Sequence, residues 1–109
     1  MHWRESYRRK RTSAAEAVSA TVSSGDRVFL TGNCSVPTVL ADALVAHASQ
    51  VEDVELVHPL TVGPAKWTNP EVAGHLRANS MFLGHNLRQS VWEGRSDYTP
   101  VLLSEFTLL

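Results

Sequence analysis

Between Ser24 and Ala43 the chain reads SGDRVFLTGNCSVPTVLADA, an apolar strand that breaks at Gly32-Asn33 and resumes as a helix through Pro37. A strand that passes through a short small-residue turn into a helix is the building unit of an α/β sheet. Such a turn leaves backbone N–H groups free at the strand's carboxyl end and at the helix N-terminus. There α/β proteins hold a phosphate, a carboxylate or a developing oxyanion. The residues alone leave two readings open. Gly32, Asn33 and Pro37 form an anion or acyl site to which Asn33 donates through its side chain, or they form a plain junction in which Asn33 supplies left-handed backbone.

The rest of the pattern extends this unit. Ser13-Ala14-Ala15-Glu16 is a capping box, and Ala14, Ala17, Val18 and Val22 follow it on one helical face. Gly25-Asp26 turns the chain into a strand over Arg27–Thr31. Pro37 opens a helix to about Ser49 that buries Leu40, Ala43 and Leu44, with Val36 at its start. Val54–Val57 reads as a second strand, and Pro59 to Asn69 as an irregular connection. A short helix is expected over Glu71–Leu76, and a third strand over Ser80–Leu83. A helix over Asn86–Glu93 and a last strand over Val101–Ser104 complete the order. Alternating strands and helices predict a parallel sheet covered on both faces, that is, three layers. Right-handed crossovers place every strand's carboxyl end on one rim. Gly32-Asn33, His58, Gly84-His85-Asn86 and Ser104-Glu105 are expected there. The apolar stretch Val101–Leu103 with Phe106–Leu109 calls for a covering partner, so a homo-oligomer or partner-stabilised assembly is expected.

Composition removes several classes of function. Residues 1–11 carry five basic side chains and one acidic, while residues 12–109 carry five basic and ten acidic. Residues 1–12 read as a basic arm ahead of an α/β domain over 13–109, solvated or docked on an acidic face. No motif that reads nucleic acid follows the arm, and no apolar run approaches a membrane span. The single cysteine excludes an internal disulfide and fits a reducing cytoplasm. Cys34 itself reads as a small packing residue, and Trp67 and Trp92 as packing groups in the core or at an interface. His2, His47, His58, His75 and His85 show no spacing that holds zinc, so no metal is expected.

Six blocks in order carry a resemblance over essentially the whole chain. They are Trp3 and Tyr7 with SAAEAV at 13–18; Ser24–Val28 with Gly32–Pro37; Val57–Pro64; Asn79–Gly84 with Asn86–Val91; Glu93–Pro100; and Leu103–Glu105. Together they resemble the N-terminal part of the acetyl-CoA hydrolase/transferase family, which includes 4-hydroxybutyrate and succinyl-CoA:acetate CoA-transferases. The resemblance implies a CoA-transferase-like α/β fold, here an incomplete part of a two-domain enzyme with its active site between the domains. It implies ping-pong transfer of CoA between an acyl-CoA thioester and a small carboxylic acid, or water. A glutamyl-CoA intermediate carries the transfer, and its glutamate lies in the family's second half, outside these 109 residues.

No catalytic residue is therefore carried over to this chain. Coenzyme A enters as substrate rather than as a bound cofactor. Gly32, Asn33, Pro37, Gly84, Asn86, Arg88 and Glu105 become the substrate- and CoA-contacting set. In it Arg88 is suited to a carboxylate or a CoA phosphate, and Glu105 is a rim residue rather than the nucleophile. The chain alone is expected to be inactive, completed by a C-terminal domain or a separately encoded partner. A truncated or frame-shifted product fits the sequence after Glu105, which departs from the family pattern. A stand-alone acyl-CoA- or anion-binding module and an inactive remnant are the alternatives.

Overall fold

The capping box forms as the sequence predicts. The Glu16 N–H donates to Ser13 Oγ at 3.2 Å, and the Ser13 N–H donates back to the Glu16 carboxylate at 3.1 Å. The Thr12 hydroxyl also donates to that carboxylate, at 2.7 Å. These donors, Thr12 first, hold the carboxyl below its ordinary range. The box starts helix α2 (Ala14–Thr21), which follows helix α1 (Trp3–Lys10). The computed structural model describes residues 2–109.

Beyond α2 come strand β1 (Arg27–Phe29), helix α3 (Thr38–His47), strands β2 (Val54–His58) and β3 (Leu76–Ser80), helix α4 (His85–Trp92) and strand β4 (Asp97–Tyr98). Short 3-10 turns lie at Ala48–Gln50, Lys66–Thr68, Pro70–Val72 and Leu103–Leu108. The four strands form one sheet in the order β1-β2-β3-β4, and every pairing is parallel. This is the small parallel α/β sheet flanked by helices that the alternation predicts.

Side-chain alternation divides the sheet into two unlike faces. Val54, Leu56, Leu76 and Ala78 point inward and pack with Val18, Ala41, Leu44, Trp67, Val72 and Leu87. Leu56, Val54 and Leu87 are fully buried. Arg27, Phe29, Glu55, Val57, Arg77 and Asn79 take the alternate positions and are exposed or half-buried. The expectation of cover on both faces fails within these residues, for a topological reason. Strands added in sequence order by right-handed crossovers never reverse direction, so every connection lies on the same side. The helices thus make one layer and the sheet a second. The 3-10 turn at Leu103–Leu108 reaches the other face, where the Phe29 and Phe106 rings meet edge to face at 5.8 Å.

Two strands lie elsewhere than expected. β3 is Leu76–Ser80 rather than Ser80–Leu83, and the expected helix over Glu71–Leu76 shrinks to the turn at Pro70–Val72. Arg77 and Asn79 conceal the strand because their polar side chains look out of place in it. On the open face they are matched across the ladder: Asn79 donates to Glu55 at 3.0 Å, and Arg77 is bidentate to Asp97 at 2.5 and 2.7 Å. The last strand is Asp97–Tyr98 rather than Val101–Ser104, and Thr99 N–H adds one more bond to Ser80 O at 2.9 Å. Pro100 has no N–H to extend the pairing.

The inner face of α3 is Ala41 and Leu44, continued by Ala48 in the turn that follows; Leu44 is buried and Ala43 half-buried against the core as expected, whereas Leu40 is 46% exposed. Trp67 is a core residue, whereas Trp92 is exposed at the end of α4. Cys34 is exposed rather than packed. No helix among the described residues is long and apolar enough to cross a membrane.

Candidate functional site at the strand ends

Three strand-end loops converge. Leu30 N–H closes the β1 ladder on Val57 O at 2.9 Å, after which Gly32 passes against the loop following β2. A Cβ on Gly32 would stand 2.3 Å from Pro59 Cγ and 2.8 Å from Leu60 O, so only glycine fits. Asn33 adopts left-handed backbone, φ 51°, and its N–H donates to Leu60 O at 2.7 Å. An isolated parallel bridge pairs it with Thr61. Asn33 thus supplies left-handed backbone at this junction, and its side chain is exposed. Pro37 caps α3, with its carbonyl accepting from Ala41 N–H at 2.9 Å.

The third loop arrives from β3. Gly84 is the N-cap of α4, and a Cβ there would meet Asn86 Oδ1 at 2.7 Å and Leu60 Cδ1 at 3.1 Å. Asn86 donates through Nδ2 to Gly63 O at 2.9 Å and Thr61 O at 3.3 Å, pinning the loop after β2 to the start of α4. Leu60–Gly63 and Gly84–Asn86 enclose a cleft of about 360 Å³. Neither α3 nor α4 has a side-chain cap at its N-terminus.

The cleft gathers Gly84 and Asn86 directly, while Gly32 and Asn33 buttress its Leu60 wall. Arg88 is exposed one turn into α4 and does not line it. Glu105 sits within the Leu103–Leu108 turn, exposed, with its N–H bonded to Leu102 O at 2.9 Å. It does not follow a strand, because the strand expected at Val101–Ser104 does not form. Thr61, which accepts from Asn86 and is buried, escaped the sequence reading. Its only signal was a threonine two residues ahead of Gly63-Pro64.

His58 supports this rim from beneath. It is fully buried, and its Nδ1–H donates to Pro59 O at 2.7 Å, fixing the first peptide of the loop. Its ring meets Trp67 edge to face at 5.9 Å. Nε2 is left without a partner, as is Trp67 Nε1. Burial pushes the imidazole below its ordinary value of 6.5, and the Pro59 bond opposes this only in part. Below that ordinary value the unfolded chain binds a proton that the folded chain resists, so stability is lost as pH falls. The urea midpoint is expected to drop between about pH 7 and pH 5. A His58→Leu variant should flatten that part of the profile; an unchanged slope would contradict this account of His58.

A one-sided parallel sheet with glycine-bearing loops gathered at its strand ends defines a parallel α/β domain. Residues 1–109 match the model of the acetyl-CoA hydrolase/transferase N-terminal domain, and the chain belongs to that family. A succinyl-CoA:acetate/propanoyl-CoA:succinate CoA transferase of Fasciola hepatica is 39% identical over 87 residues, covering 78% of this chain and 18% of its own length. A 4-hydroxybutyrate coenzyme A transferase of Clostridium kluyveri is 33% identical over 105 residues, covering 96% of this chain and 24% of that protein. The chain therefore spans no more than about a quarter of these relatives. The crystal structure of RipA from Yersinia pestis superposes on all of it with a TM-score of 0.81 at 22% identity, using 28% of the RipA chain. A RipA variant gives 0.84 at 22% identity. At that identity the likeness concerns the fold.

Proposed function

We propose that this chain supplies one wall of the active site of a CoA-transferase or acetyl-CoA hydrolase, and that the reactive glutamate comes from outside these 109 residues. The observation that carries the reading is the convergence of Gly32-Asn33, Leu60–Gly63 and Gly84–Asn86 at one sheet edge in a member of this family. The substrates are an acyl-CoA thioester and a small carboxylic acid, as the names of the two transferases suggest, or water in place of the acid.

In the proposed reaction a glutamate oxygen attacks the thioester carbonyl, and the C–S bond breaks to release CoA thiolate. The resulting acyl-glutamyl anhydride is attacked by the thiolate at the glutamyl carbonyl. The acyl group leaves as a free carboxylate, and glutamyl-CoA remains. The incoming carboxylate reverses the two steps, or water hydrolyses the thioester. Each attack develops an oxyanion, which needs oriented N–H donors in a site shielded from water. The start of α4, behind Gly84, has no side-chain cap, and its first backbone N–H groups are the donors assigned to that oxyanion. The single cysteine is in keeping with a reducing cytoplasm as the setting of this reaction.

Titrating CoA into the ¹⁵N-labelled chain tests this assignment. Amide shifts are expected at Gly32, Asn33, Thr61–Gly63 and Gly84–Asn86, with Arg88 and Glu105 as the outer members of the proposed set. Shifts confined to the opposite, amino-terminal edge of the sheet, or none at millimolar CoA, would contradict it.

A further inference from the structure

The inner face of the sheet is apolar until its last position. Val54 and Leu56 lead along β2 to His58, and Leu76 and Ala78 lead along β3 to Ser80. Alternation puts these side chains on one face, and the ladder sets His58 beside Ser80. Both are completely inaccessible to solvent. A polar side chain is costly to bury unless it is bonded, so a polar pair that closes an apolar face must be bonded to something at that level.

Each member of the pair bonds the loop that leaves its own strand. His58 Nδ1 lies 2.7 Å from Pro59 O, and Ser80 Oγ donates to Phe82 O at 2.8 Å. A carbonyl only accepts, so the neutral imidazole carries its proton on Nδ1 and a lone pair on Nε2. The Trp67 ring packs edge to face against it at 5.9 Å. The two loops held in this way lead into the two walls of the strand-end cleft, Leu60–Gly63 and Gly84–Asn86. Other bonds join loop to loop. Asn33 N–H donates to Leu60 O at 2.7 Å, and Asn86 Nδ2 donates to Gly63 O at 2.9 Å and Thr61 O at 3.3 Å. These cross-links need both loops already in place, whereas the His58 and Ser80 bonds reach only one and two residues along the chain.

We propose that His58 and Ser80 are a pair of positioning residues that preform this wall of the site, each anchoring one side of the cleft and their register setting its width. The part of the site carried by this chain then has its shape before a second domain closes over it. Little of the binding energy of a CoA ester is spent on ordering the loops. The inference deepens the function proposed above and rests on it for the identity of the ligand; the anchoring itself does not depend on that identity.

Hydrogen exchange at the Asn33 N–H and the Asn86 side-chain amide, measured on the labelled chain without ligand, reads the cross-links. Losing one anchoring bond should speed exchange about three- to tenfold, at both groups in His58→Leu and at Asn86 in Ser80→Ala. His58→Asn keeps an N–H where Nδ1–H stands and should restore the wild-type rates. Val54→Ala removes an equally buried group at the other end of β2 and should leave both rates unchanged. Nitrogen spectra of the wild-type ring should show a protonated Nδ1 and a bare Nε2. A proton on Nε2, rates unmoved by the two anchor variants, rates in His58→Asn as fast as in His58→Leu, or equal acceleration by Val54→Ala would each overturn the proposal. If His58→Leu does not fold, Ser80→Ala, which removes one oxygen, decides. CoA should bind the anchor variants more weakly by the same factor; unchanged affinity alongside faster exchange would overturn the preforming role. Failure of the wild-type chain to bind CoA would contradict the proposed function, and the exchange rates would still decide the anchoring.

Discussion

Replacing Gly32 with alanine is expected to cost about 3 kcal/mol of stability, at the upper end of the range for an overpacked site. The backbone of Gly32 lies outside the left-handed region, so the penalty is purely steric. The added methyl would stand 2.3 Å from Pro59 Cγ and 2.8 Å from Leu60 O. The second of these is backbone, held by the Asn33 N–H at 2.7 Å, and cannot swing aside as a side chain would. Relief requires the loop after β2 to move away from β1, which opens the strand-end cleft as well. Urea denaturation reads the loss of stability, and amide shifts at Thr61–Gly63 read the displacement. A variant as stable as wild type would show that the close approach of the two loops is not present in solution.

Truncating Leu56 to alanine is expected to destabilise by about 2–5 kcal/mol, the cost of removing a fully buried side chain whose site cannot collapse. Leu56 is on β2, paired on one side with Val28 of β1 and on the other with Ala78 of β3. It is completely inaccessible to solvent. Ladders on both sides hold its Cα in place, so little of the cavity can be refilled. Leu40→Ala provides the contrast, because that side chain is 46% exposed. Its loss should cost well under about 1 kcal/mol. Comparable losses at the two positions would show that Leu40 is buried as the sequence first suggested.

What could be read from the sequence was whatever local chemistry determines. Ser13 and Glu16 specify the start of α2 through bonds three residues apart. Gly32 marks the turn because no side chain fits there. The parallel order follows from alternation of elements. What could not be read depends on partners distant in the chain. Arg77 and Asn79 are strand residues only because Asp97 and Glu55 stand beside them across the ladder. The apolar run after Pro100 was the more hydrophobic candidate for the last strand, yet Asp97-Tyr98 has the N–H and the ion pair.

The candidate site divides in the same way. Gly32, Gly84 and Asn86 were legible from their position after strands. Asn33 was legible as to place, and its φ of 51° shows the left-handed backbone that the turn requires. The work of Thr61 and of the buried His58 depends on where the loop after β2 folds. Glu105 was placed by a strand that does not form, and Arg88 by its guanidinium in the first turn of a helix that follows a strand.

The most direct measurement is exchange of isotopically labelled acetate into acetyl-CoA by the purified 109-residue chain, with hydroxylamine present in parallel to trap any glutamyl thioester. The account predicts no exchange and no hydroxamate on the protein. Exchange at an enzymatic rate, or a hydroxamate on any glutamate of this chain, would contradict the claim that the reactive carboxylate lies elsewhere.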